Sequence, residues 1–333
     1  MKARQAALGT AAVILWGAFA LPAWVARPLR VAHRAAPRAA REKAAPPLAL
    51  PPAARTAIGE IYSGHPGAAI SAAQRLEAAH PADPLGYLIE GEARWWQLYC
   101  QHNQVQYGMV DLWRLPKEPE EKPYLEDARK VVALARAELS TKETAQAHLW
   151  AGMGYALEAR LDGARGEKMA TARAGVKARN ELLRALALDP RLADAGTGLG
   201  LYNYYVDTLS PIIKLLRIFL GIPGGSKQQG VRQLRTAIDR GQITSVEARF
   251  YLAKNLRNYD HHYAQALALA QPLVREYPEN PVFLLLVANL EIELGRKPEA
   301  QKTLARIGKL KIPDGACLAR SERMARELMA AGR

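Results

Sequence analysis

Charge is missing from one stretch of this chain and acid from another. Residues 5 to 26, Gln5 to Ala26, carry no charged side chain, while residues 1 to 58 hold one acid, Glu42, among nine bases. Those bases are Lys2, Arg4, Arg27, Arg30, Arg34, Arg38, Arg41, Lys43 and Arg55, so the segment carries +8 and leaves +6 of the net +14 for the other 275 residues. A basic excess gathered in a short tail beside an apolar run points to membrane headgroups as its acidic neighbour, and no nucleic-acid partner is expected.

Cysteine is nearly absent. Cys100 and Cys317 lie far apart and form no CxxC pair, which excludes the common zinc spacings. Two buried free thiols in helices are the expected state, with a disulfide as the alternative if the chain is exported. Val, Ile and Thr are sparse while Ala and Leu dominate, and 49% of the residues are apolar. That composition favours an all-α fold with an ample core.

A catalytic constellation is missing as well. No Ser/His/Asp or Cys/His arrangement stands out, and the adjacent carboxylates Glu120 and Glu121 fall in the polar loop 116 to 123, read from its three prolines. Asp260-His261-His262 reads as a solvated turn, because adjacent histidines point apart and no third ligand is marked. Gly221-Ile-Pro-Gly-Gly-Ser-Lys-Gln-Gln-Gly230 lacks the Gly-Lys-Ser/Thr of a phosphate loop, since Lys227 follows Ser226 and precedes Gln228. Gly196, Gly198 and Gly200 read as a close helix contact. No catalysis, cofactor or metal is expected.

The N-terminus has the layout of a secretory signal. Lys2 and Arg4 precede the apolar run Ala6 to Ala20, and Ala18-Phe-Ala20 places small residues before a cleavage after Ala20. A retained anchor is the rival, because an uncharged run of 22 residues can span a bilayer. The six bases between Arg27 and Lys43 would then favour the cytoplasmic side for the folded domain. Export to the periplasm or cell envelope, cleaved or tethered, is the expected location; an inner-membrane anchor with the domain facing the cytoplasm is the alternative. Residues 27 to 52 alternate Ala, Pro and Arg and read as an extended spacer. The expected organisation is thus 1–26 signal or anchor, 27–52 linker and 53–333 folded domain.

Within the domain, alanines and prolines act as rulers. Ala69-Ile-Ser-Ala-Ala-Gln-Arg-Leu-Glu-Ala-Ala-His-Pro-Ala-Asp-Pro84 aligns with Ala266-Leu-Ala-Leu-Ala-Gln-Pro-Leu-Val-Arg-Glu-Tyr-Pro-Glu-Asn-Pro281 at six identical positions of sixteen. In both, Ala precedes Pro by twelve residues, an interval that Ala178 and Pro190 keep. These residues resemble the tetratricopeptide-repeat family, an array of helix-turn-helix units of about 34 residues. Gly295-Arg-Lys-Pro-Glu-Ala300 looks like the family's inter-helix turn. The resemblance covers roughly residues 55 to 310 and implies a right-handed all-α solenoid.

The expected helices are 66–79, 84–100, 123–139, 142–160, 166–188, 192–206, 226–240, 244–257, 262–276, 281–294, 297–308 and 317–331, the last a cap presenting Arg320, Arg323, Glu327 and Arg333 to solvent. Asp189 to Asn280 is 91 residues, two such periods and 23 over, so the stretch Tyr205 to Lys227 reads as an insertion. In it, Leu209 to Leu220 is apolar except for Ser210, Lys214 and Arg217, and reads as a short helix packed into the array. Gly200-Leu-Tyr-Asn-Tyr204, with Leu220-Gly-Ile-Pro-Gly-Gly225 and Gly230, is similar to exported bacterial repeat proteins and more distantly to fungal mitochondrial outer-membrane ones. Ser226-Lys227 stands where an acidic-basic pair is expected.

The family resemblance implies a scaffold that binds a protein or peptide along its concave face, lined by the first helix of each pair. Asp194, Tyr204, Tyr205, Lys254, Arg257 and Asn289 are the residues expected there. The alternative is a membrane-associated structural protein that touches lipid through the basic tail and the insert 209–220.

Overall fold

The computed structural model describes residues 48–102, 117–211, 214, 217–218 and 221–331. The chain divides into residues 1–45 and 46–333, and the described structure belongs to the second unit. The expected signal or anchor, most of the linker and part of the apolar insert lie outside the described residues. No described helix is long and apolar enough to cross a membrane.

Thirteen helices and no strand occur among the described residues, in the order α1 Pro52–Tyr62, α2 Pro66–Ala79, α3 Pro84–His102, α4 Glu121–Thr141, α5 Ala145–Arg165, α6 Lys168–Leu188, α7 Ala195–Thr208, α8 Lys227–Arg240, α9 Ser245–Asn258, α10 Tyr263–Glu276, α11 Pro281–Glu293, α12 Lys297–Ile307 and α13 Gly315–Ala331. Each helix packs against its successor, and each odd-numbered helix also meets the next odd one. This is an all-α tetratricopeptide-like solenoid of six hairpins with α13 at its end.

Local chemistry explains the element ends. Pro66, Pro84 and Pro281 open helices, where a missing N–H costs nothing and φ is already helical. Asn280 caps α11 by accepting from Val282 N and Phe283 N. Gly295, at φ 73°, ends α11 in the left-handed region that a side chain disfavours, with Arg296 N donating back to Glu291 O at 2.8 Å. α11 reads Pro-Val-Phe-Leu-Leu-Leu-Val-Ala-Asn-Leu-Glu-Ile-Glu, almost without a polar face, and is accordingly buried nearly all round.

Four findings depart from the sequence-based expectation. α1 was not expected: Pro51-Pro52 reads as spacer, but Pro52 is the first helical residue, and Leu48 and Leu50 ahead of it are buried. α4 begins at Glu121, inside the expected polar loop, because Pro123 sits within the first turn, where it is tolerated. α7 runs on to Thr208, shortening the insertion. Most consequentially, the cysteines are not free: Cys100 on α3 and Cys317 on α13 form a disulfide across 217 residues, with Cα atoms 5.1 Å apart.

The array closes on itself. α13 packs against α3 as well as against α11 and α12. At the other end of the seam, Asn280 Nδ2 donates to Tyr62 O at 2.8 Å. Between them lies an aromatic cluster in which Trp96 of α3 meets Phe250 of α9 at 5.1 Å, Phe283 of α11 at 5.7 Å and Tyr62 at 5.3 Å between ring centroids. Burying each such ring contributes about 1.5–3 kcal/mol, with a further ~0.5–1.5 for ring pairs.

Small residues allow the tightest crossing, between α7 and α8. A Cβ on Gly230 would stand 2.6 Å from Gly200 O and 2.9 Å from Tyr204 N, both backbone atoms that cannot swing aside. Gly230→Ala is therefore expected to destabilise the fold by about 1–3 kcal/mol. Urea denaturation checks this; an unchanged midpoint would mean that the two helices are not in contact.

Candidate partner-binding site

The odd-numbered helices face inward, and their charged and aromatic residues share a stripe. Glu92, Trp95, Trp96 and Tyr99 on α3 have the same spacing as Glu247, Phe250, Tyr251 and Lys254 on α9, so each glutamate lies on the face of its aromatics. In the interior Arg160 of α5 joins the two glutamates, donating to Glu92 at 2.8 and 3.2 Å and to Glu247. Its guanidinium also lies 5.2 Å from the Trp95 ring centroid. Trp95 Nε1 donates to Tyr251 OH at 3.1 Å. Burial holds Glu247 above the ordinary carboxylate range, with Arg160 opposing that rise and Glu92 adding to it. One proton shared among these acids makes the buried triad neutral overall.

A second polar cluster sits between α2, α3 and α4. Arg94 Nε donates to Asp127 at 3.0 Å and its terminal nitrogen to Glu90, which also accepts from Gln74 at 3.0 Å. Burial, then the hydrogen bond and charge of Glu90, raise Glu77 to about 8. Burial and then Glu90 raise Asp127 to about 7, against the pull of Arg94. Three carboxyls share one guanidinium.

The six residues expected to line a binding face are placed otherwise. Asp194 is buried and caps the next hairpin, accepting from Ile243 N at 2.8 Å and Thr244 N at 2.9 Å. Tyr204 is fully buried and donates to Asp260 at 2.6 Å. Tyr205 is partly exposed and donates to Asn255 Oδ1 at 3.0 Å. Lys254 is buried beside Tyr99, donating to its hydroxyl at 2.6 Å; burial, helped by Arg257, lowers its ammonium to about 7. Arg257 donates to Asn289, which brings two of the six together, and both are buried. Five of the six therefore lie beneath the surface that a partner touches.

A surface does form around them. Lys227, at the start of α8, extends to Asp260 at 2.5 Å and lies 5.2 Å from the Tyr204 ring centroid. Tyr205 and Tyr259 rings meet at 6.2 Å beside them. Tyr205, Lys227, Tyr259 and Asp260 all keep partial exposure, giving a patch of two phenol rings and a charge pair where α7, α8 and α9 converge. The Gly221–Gly230 turn serves this join: Ser226 caps α8 by accepting from Gln229 N, and Asp207 accepts from Lys227 N at 2.8 Å. Of the insert, Lys214 pairs with Asp207, Arg217 donates to Ile222 O, and Ile218 is 64% exposed. Lys227 and Asp260 were not expected as site residues. Their separation of 33 residues, close to one repeat period, is the signal that relates them.

Among the described residues no group of three or more His, Cys, Asp or Glu side chains is arranged to hold a metal ion. Asp260 is committed to Tyr204 and Lys227, and His261, at φ 53°, contacts Tyr263 OH at 3.0 Å.

The shared carboxyls of the second cluster set a pH dependence. Glu77 keeps its proton in the folded chain up to about 8, whereas an unfolded glutamate loses it near 4.5, so folding binds protons in that window and stability falls as pH rises through it. Glu77→Gln, which retains a donor for Glu90 and cannot ionise, should leave stability at pH 5 unchanged and raise it at pH 9 by on the order of 1 kcal/mol after solvent screening. Chemical denaturation at both pH values checks this, and a variant with the same pH slope as the parent would refute it.

The tetratricopeptide-repeat profile matches residues 259–311, spanning α10, α11 and α12. No curated protein matches the chain. With six consecutive hairpins and the Ala and Pro spacing of this matched segment, the chain is a tetratricopeptide-repeat protein.

Proposed function

We propose that the chain is a non-catalytic scaffold of the cell envelope that binds a protein or peptide through the patch of Tyr205, Lys227, Tyr259 and Asp260. The match to a repeat family built for protein interaction carries this reading. The concave face expected for binding is filled near α9 and α11 by the aromatic side of α3, so contact shifts to the rim of that face. Tyrosines and a charge pair at partial exposure suit such contact, because they combine large area with few rotamers to freeze. The buried Asp194, Tyr204, Lys254, Arg257 and Asn289 then act as the support that holds the patch rigid.

Export is supported by the pairing of Cys100 with Cys317, since such bonds persist in oxidising compartments. The basic start and apolar run of residues 1–26 agree with it.

A photo-crosslinking residue in place of Tyr259 is expected to capture one envelope protein, while the same residue in place of the exposed Arg232 on α8 captures none. Adducts only from position 232, or none from 259, would refute the patch. Mass analysis of the mature protein is expected to show an N-terminus at Leu21, or an intact chain in the membrane fraction, with no alkylatable thiol. Free thiols at both cysteines in the native cell would refute export.

A further inference from the structure

The disulfide does not lie sealed in the core. Cys100 and Cys317 each retain 5% exposure and together line a small cleft with Ile61, Trp96, Asn280 and Asp314. The indole N–H of Trp96 at this cleft is buried and has no acceptor among the described residues, so a chain that brings a carbonyl there would satisfy it. We propose that the Cys100–Cys317 bond is a thiol–disulfide exchange site for a protein dithiol, and that its reduction releases α13 from the array.

The two sulfurs are not equivalent. Cys317 lies in the first turn of α13, where Asp314 Oδ1 accepts from its backbone N–H at 2.9 Å and the helix N-terminus favours negative charge. Cys100 lies in the last turn of α3, where the helix end disfavours it. The better leaving group is the one whose thiolate is better stabilised. An incoming thiolate therefore attacks Cys100 Sγ, the Sγ–Sγ bond breaks, and Cys317 departs as a thiolate that takes a proton from water. The partner's second thiolate then attacks its own sulfur in the mixed disulfide, expelling Cys100 as a thiolate that is protonated in turn. Two electrons and two protons pass to the cysteines, and the dithiol becomes a disulfide.

Release depends on the other contacts that hold α13. Its inward face buries Cys317, Ser321, Met324 and Ala325, of which one is a large apolar side chain, whereas α11 buries eleven of its thirteen residues. Ser321 Oγ lies 3.8 Å from Cys100 Sγ and Gln101 Nε2 donates to Asp314 at 3.1 Å, both beside the bond itself. The tie of α13 to α3 is thus concentrated at the disulfide, while α5 and α6 are held by their own packing far from it. The inference is independent of which partner the scaffold binds.

Hydrogen exchange on the full chain, oxidised and then treated with a thioredoxin-type protein dithiol, tests it. The expected result is that both cysteines become alkylatable, amides of residues 315–331 exchange at least tenfold faster, and α5 and α6 keep their protection. The same dithiol lacking its resolving thiol is expected to be trapped on Cys100. A bond left intact by the dithiol under native conditions would overturn the exchange site. Free thiols with α13 still protected, or loss of protection in α5 and α6 alongside it, would overturn the latch. Cys100→Ser and Cys317→Ser, if folded, should show the loosened α13 without any reductant; oxidised-like protection in both would also overturn it.

Discussion

The contact of Trp96 with Phe250 and Phe283 is the interaction on which the rest depends. A helical-repeat array normally touches only its neighbours, so its stability is a sum of local terms and its two ends are independent. Here α3 crosses to α9, α11 and α13, and residues separated by well over a hundred positions share one aromatic core. The closing entropy of so long a loop is large, and it is met by several rings, by the Asn280 bond to Tyr62 and by the disulfide together. Closure also has a consequence for binding. An interior lined with Trp95, Trp96, Tyr99, Phe250 and Tyr251 is filled by its own side chains, which leaves the rim where α7, α8 and α9 converge as the accessible polar and aromatic surface.

Burial of charge arises from the same geometry. Arg160 between Glu92 and Glu247 lies where three inward helices meet, and its cost is lowered by the two carboxylates and the Trp95 face. The Glu77, Glu90, Asp127 and Arg94 cluster does the same at the junction of α2, α3 and α4. Neither cluster is open to a substrate. They fix the register of neighbouring hairpins at the places where small residues alone would let them slide.

Much of the fold was legible in the sequence because its signals are local. Ala69, Ala178 and Ala266 lie in second helices where hairpins meet, each with its Pro twelve residues on, and all twelve expected helices exist. The glycines at 196, 198 and 200 do mark close helix contacts. The illegible part is long-range. Two cysteines 217 residues apart carry no spacing that announces a pair, so free thiols were expected and a disulfide was found. Pro51-Pro52 looks like spacer until Leu48 and Leu50 are seen to pack beneath it. The expected site residues fell on the inward side of first helices as intended, yet Lys254, Arg257 and Asn289 are buried there, because nothing local reveals that α3 occupies that side. The matched stripes Glu92-Trp95-Trp96-Tyr99 and Glu247-Phe250-Tyr251-Lys254 were the overlooked sign that α3 and α9 face one another.

Closure of the array by the α3 seam is measured most directly by a double-mutant cycle on Trp96→Ala and Phe283→Ala, with urea denaturation of the oxidised chain as the readout. Their rings stand 5.7 Å apart. The structure predicts that the two losses are not additive, with a coupling of about 0.5–3 kcal/mol. Strict additivity, as for residues in separate repeats of an open solenoid, would contradict it.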